Sequence, residues 1–111
     1  LGDVYKRQSK SMYVRLVTIK CPNETAKSAL KLLNKKVANE QMKTGLLNET
    51  VIDLSDNSFI AIKYWISESH FEKGRKNWQK MSQEFNEMGA KVTGVGGEAE
   101  TMYTDSFKDY I

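Results

Sequence analysis

The chain has 111 residues, 40% hydrophobic and 28% charged, with a formal net charge of +3 at pH 7. That is one ordinary globular domain, short enough that a pairing surface would add usefully to its core. No apolar run approaches the ~18–20 residues that cross a membrane, and no charged opening followed by an apolar run marks a secretory signal. Lys6, Arg7 and Lys10 against Asp3 place +2 in the first ten residues and leave +1 for the rest. Elsewhere Lys and Arg alternate with Glu and Asp, which reads as a solvated face and argues against nucleic-acid binding. Cys21 is the only cysteine and His70 the only histidine. An intrachain disulfide and a Cys/His zinc site are thereby excluded, no metal or cofactor is expected, and a reducing, cytoplasmic setting fits.

Residues 1–11 are polar and aperiodic, so a disordered lead-in is expected there. The first eight resemble an adaptor-derived peptide of translated environmental sequence reads, which makes Met12 the expected start and 12–111 a single domain. A β-branched and aromatic stretch over 12–20 is a strand. Pro22 and Asn23 stop it, and Asn23 can cap a helix over 24–43. Ala26, Ala29, Leu30, Leu33, Val37 and Met42 form the apolar stripe of that helix, with Lys27, Lys31, Lys35 and Glu40 toward water. Thr44-Gly45 ends it.

Strands over 46–54 and 59–66 flank the turn residues Ser55-Asp56-Asn57-Ser58 and make a hairpin. Ser69 and Glu72 have capping-box spacing. Phe71, Gly74, Trp78, Met81, Phe85 and Met88 then repeat at three and four, the stripe of a second helix that Gly89 closes. A fourth strand over 91–95, a break or bulge at Gly96-Gly97, and an extended piece over 99–104 complete the chain. Gly94-Val95-Gly96-Gly97 lacks both the spacing and the following helix of a phosphate loop.

This order gives an α+β, ferredoxin-like βαββαβ domain, with a four-stranded antiparallel sheet in the order 4-1-3-2 and both helices on one face. Strand alternation sorts the side chains. Val14, Leu16, Thr50, Ile52, Leu54, Ile60, Ile62, Tyr64 and Ile66 are the more apolar set, expected beneath the helices. The opposite set is Tyr13, Arg15, Val17, Ile19, Glu49, Val51, Asp53, Phe59, Ala61, Lys63 and Trp65. It is apolar but laced with charges of both signs. Its expected role is the dimer interface, met by a second copy of the sheet, with Arg15 and Lys63 pairing to Glu49 and Asp53 within or between chains.

The segment Trp65-Ile66-Ser67-Glu68-Ser69-His70-Phe71 resembles the Trp-x-Ser-x-x-x-Phe signature of the antibiotic biosynthesis monooxygenase-like family. Element order over 12–96 is similar too. The resemblance implies a dimeric α+β barrel with a ligand cleft between sheet and helices in each chain. Departures narrow the chemistry. Gly74 stands where many members carry a histidine. Gly74 and Glu84 stand at the Trp and His positions of haem-degrading members, and the first strand lacks their asparagine. Lys63 stands where an acid is commonest.

In the family's cleft, the lining expected from the apolar stripes is Leu33, Val37, Tyr64, Phe71, Trp78, Met81 and Phe85, with Gly74 leaving room; the plain alternative is that all are core. The expected ligand is a hydrophobic small molecule, an acyl chain or an aromatic compound. If His70 turns inward, it pairs with Tyr64 as general base and orienting hydroxyl. The resemblance then implies cofactor-independent monooxygenation; the alternative is a non-catalytic dimeric binding or stress-responsive module.

Overall fold

The computed structural model describes residues 12–101; the lead-in expected over 1–11 and the part of the extended piece from residue 102 onward lie outside the described residues. The elements are β1 (Tyr13–Lys20), α1 (Glu24–Met42), β2 (Leu46–Asp53), β3 (Ser58–Trp65), α2 (Glu68–Glu87) and β4 (Lys91–Glu98). The four strands form one antiparallel sheet in the order β2-β3-β1-β4. This is the βαββαβ ferredoxin-like arrangement expected from the element order.

Local chemistry sets the joints. Asn23 is extended, and its Oδ1 accepts the Ala26 N–H at 2.8 Å, satisfying one of the free donors at the start of α1. Gly45 at φ +115° turns the chain from α1 into β2. It could hold no other residue easily, because a Cβ there would lie 2.7 Å from His70 Cδ2. The hairpin turn places Asn57 at φ 62°, a left-handed position that asparagine tolerates. α2 is capped by Ser67, two residues before the expected Ser69; Ser67 Oγ accepts the His70 N–H at 3.2 Å.

β4 runs unbroken through Gly96 and Gly97, in steady register with β1 from Lys20↔Lys91 to Tyr13↔Glu98. The expected bulge is absent from this strand. The irregularity in the sheet lies in β2, between Leu46 and Asn48.

The two faces of the sheet are the reverse of the expectation. Tyr13, Ile19, Phe59, Ala61, Lys63 and Trp65 are buried. Ile19 and Phe59 pack with Leu30, Val37, Phe85 and Ala90, while Tyr13 and Trp65 pack with Ala38 and Leu46. The set Tyr13, Arg15, Val17, Glu49, Val51, Asp53, Phe59, Lys63 and Trp65, expected to meet a second copy, therefore shares the helix-covered face. Only Val51 and Asp53, on the edge strand β2, stay exposed there.

The bare face carries Val14, Leu16, Ile52, Ile60, Ile62 and Tyr64, none of them fully buried. Leu16 is 45% and Val95 65% exposed. Lys27 also departs from expectation: it is buried, donating to the Leu54 carbonyl at 2.6 Å and pairing with Asp53. Lys31 reaches the same carboxylate at 3.1 Å. These contacts pin α1 to the end of β2.

Candidate ligand-binding site

The motif at the β3–α2 junction is a packing device. Trp65 ends β3 with 1% exposure, Ser67 caps α2, and Phe71 returns one turn into the helix to meet the tryptophan edge-on. The ring centroids of Trp65 and Phe71 are 5.8 Å apart, and Tyr13 and Phe71 are 5.3 Å apart. Such aromatic contacts contribute about 0.5–1.5 kcal/mol beyond the area they bury. Gly74 is buried against Trp65: a Cβ there would lie 3.2 Å from Trp65 Cη2. The missing side chain thus lets the helix approach the indole.

Between α2 and the sheet opens a cleft of about 640 Å³. Tyr13, Trp65, Phe71 and Trp78 supply its aromatic wall, and Val17, Ile19 and Val92 its apolar floor. Arg15, Asn34, Gln41, Lys63, Arg75 and Gln79 bring polar groups to it. This is more polar than the hydrophobic slot expected from the helix stripes.

Of the expected lining residues, Phe71, Gly74 and Trp78 reach the cleft. Leu33, Val37, Met81 and Phe85 belong instead to the core beside Ile19 and Phe59. Tyr64 pairs with Val14 and Asn48 on the bare face. The expected His70–Tyr64 pair does not form. His70 packs on Gly45, and its Nδ1 lies 2.6 Å from Ser67 Oγ.

The expected Lys63–Glu49 pairing forms within the chain, as the centre of a buried polar network in the cleft to which Gln41 and Asn34 are unexpected additions. Lys63 Nζ donates to Gln41 Oε1 at 2.7 Å and is ion-paired with Glu49. Asn34 donates to the other Glu49 oxygen at 2.8 Å. Lys63 is 5% exposed, and burial pushes its ammonium pKa down despite the pull of Glu49. Arg75 lies 3.6 Å from Glu72 at the cleft's outer wall. Arg15 stacks its guanidinium 4.7 Å over the Phe71 ring. Among the described residues, no group of three or more His, Cys, Asp or Glu gathers as a metal cluster.

No protein-family model and no curated protein sequence matches the chain. Solved structures do. SnoaB, a cofactor-independent oxygenase from Streptomyces nogalater, superposes with a TM-score of 0.74 at 11% identity, covering 86% of this chain and 99% of that one. A monooxygenase from Streptomyces coelicolor, in complex with Nanaomycin D, gives a TM-score of 0.70 at 12% identity over 86% and 93%. A dimeric ferredoxin-like protein from an uncultured marine organism gives 0.70 at 10% identity over 91% and 98%. The fold implied by the Trp-x-Ser-x-x-x-Phe resemblance, that of antibiotic biosynthesis monooxygenase-like proteins, is the fold of this chain.

Proposed function

We propose that this chain forms a homodimer through the bare faces of its two sheets, and that each subunit binds a hydrophobic, aromatic small molecule in the sheet–helix cleft. The observation that carries the ligand half is the cleft itself. Its volume of about 640 Å³ falls in the usual range for small-molecule sites, roughly 300–1,000 Å³. Its wall of Tyr13, Trp65, Phe71 and Trp78 favours flat rings over an acyl chain. The Streptomyces coelicolor neighbour of the same fold is complexed with Nanaomycin D. The assembly half rests on the apolar bare face and on the dimeric marine neighbour.

Within this reading, the Streptomyces nogalater neighbour, a cofactor-independent oxygenase, supports oxygenation without a cofactor: a deprotonated substrate carbon adds dioxygen, and the resulting peroxide loses water to leave a carbonyl, the substrate itself supplying the electrons. Such a site must supply a base and keep water out. Lys63 lines the cleft and has a lowered pKa. Glu49 and Gln41 nevertheless hold its ammonium, and His70 is engaged elsewhere. That engagement favours the second reading, a binding module without turnover.

Native mass spectrometry followed by denaturing extraction tests both halves. The expected result is a dimer whose extra mass dissociates as an aromatic compound. Bare dimers would leave the ligand half unsupported, and a monomer would refute the assembly half. Oxygen uptake with a hydroxylated polycyclic aromatic then separates enzyme from binding module.

A further inference from the structure

We infer that the cleft is built for an anion: its ligand carries one carboxylate or phenolate oxygen, which docks on the Arg15 guanidinium. This rests on the ligand reading above and narrows it to aromatic anions.

The charges of the cleft are matched with one exception. Lys63 is paired with Glu49, and Arg75 with Glu72. Among the described residues, Arg15 has neither an ion pair nor a hydrogen-bond acceptor, and its Nε is buried. A second buried donor, Trp65 Nε1, also lacks an acceptor. Both groups are donors only, so what they lack is an acceptor oxygen. Two N–H groups buried without partners cost stability, which a bound acceptor would return, and the half-buried Arg15 charge favours that acceptor being an anion.

The surroundings of Arg15 hold it in the cleft. On one side its guanidinium lies on the Phe71 ring. On the other, β4 presents glycine at both facing positions. A Cβ at Gly94 would fall 2.5 Å from Arg15 Nη2, and one at Gly96 would fall 2.5 Å from Arg15 Cδ. The arginine thus occupies a slot between an aromatic ring and a strand stripped of side chains. Trp65 lies near, since Arg15 pairs with Lys63, two residues before Trp65 on β3. Phe71 packs against both side chains. Arg15 and Trp65 both line the cleft, from which a ligand oxygen would approach them.

The test is calorimetric titration of the full chain at pH 7 with 2-naphthoate and its neutral counterpart 2-naphthamide. The naphthoate is expected to bind about tenfold more tightly, the effect of one charge-assisted contact. Arg15→Met should bring the two affinities within about twofold, and Arg15→Lys should keep part of the preference. In a 1H–15N spectrum, with Trp78→Phe identifying the Trp65 indole, naphthoate should move that resonance downfield. Equal affinities in the unmodified chain would overturn the inference while leaving the cleft reading intact. A preference that survives Arg15→Met would remove Arg15 from it. Binding of neither probe at millimolar concentration would overturn both readings. If Arg15→Met does not fold, the unmodified chain and Arg15→Lys still decide the matter.

Discussion

At Lys63, one side chain joins α1 to the sheet and lines the cleft. Its side chain is 7% exposed and that of Glu49 6%, so each charge depends on the other. Lys63→Met removes the cation and leaves the Glu49 carboxylate buried with Asn34 as its remaining donor. The expected cost is about 3–5 kcal/mol in urea unfolding, and a Lys63→Met/Glu49→Leu pair should recover most of it. Asp53 behaves differently because it is exposed. Hydrogen bonds from Lys27 and then Lys31 hold its carboxyl below the usual 3.8. A depressed carboxylate pKa stabilises the fold above the unfolded value and ceases to do so as pH falls through the folded one. The unfolding midpoints of the unmodified chain and Asp53→Asn should therefore differ at pH 7 and converge as the pH drops below 3.8. A gap independent of pH would refute the ion-pair account.

Among the elements, β4 shows how a strand can be defined by what it lacks. Gly96 faces Arg15 and Tyr13, where a Cβ would lie 2.5 Å from Arg15 Cδ and 2.6 Å from Tyr13 Oη. Gly97, on the other face, has nothing within 4 Å of that position. Gly96→Ala is expected to lower stability by about 1–3 kcal/mol through overpacking, whereas Gly97→Ala should stay within about 0.5 kcal/mol of the unmodified chain. Thermal unfolding of the two variants side by side checks this. The glycines also explain a misreading. In the sequence, Gly96-Gly97 signals a break, because glycine weakens a strand; the demand for space that keeps Gly96 in a regular strand comes from β1, some eighty residues earlier in the sequence. Element order and Asn23 as a cap were legible because they depend on neighbours in sequence. Ser67 was missed as the α2 cap because Ser69 and Glu72 offer the same chemistry two residues later.

For the whole molecule, the legible quantity was the number of faces and the illegible one was which face the helices cover. Val14, Leu16, Ile52, Ile60, Ile62 and Tyr64 are more uniformly apolar than the opposing set, so hydrophobicity alone assigns them to the core. The helices instead cover the aromatic side chains Tyr13, Phe59 and Trp65, together with a lysine whose partner lies in another strand. An expected Lys63–Glu49 pair does not say which face holds it, because the two charges can meet beneath helices as well as against a second sheet. The same reversal displaced the candidate site. Tyr64 went to the bare face, while Arg15, Lys63 and Trp65, assigned to an interface, line the cleft. If two bare faces meet, Leu16 lies between Ile62 and Val95 near the middle of the contact. Leu16→Glu is expected to turn a dimer into a monomer in sedimentation velocity with an unchanged circular dichroism spectrum. A persisting dimer would place the contact elsewhere.

The chain has two tryptophans, and both line the cleft. Its ultraviolet emission therefore reports on one compartment. A molecule entering the cleft should quench or shift that light, whereas, if two copies meet at the opposite face of the sheet, dilution that separates them should leave the colour unchanged. Occupancy can thus be followed on the unlabelled protein without interference from assembly.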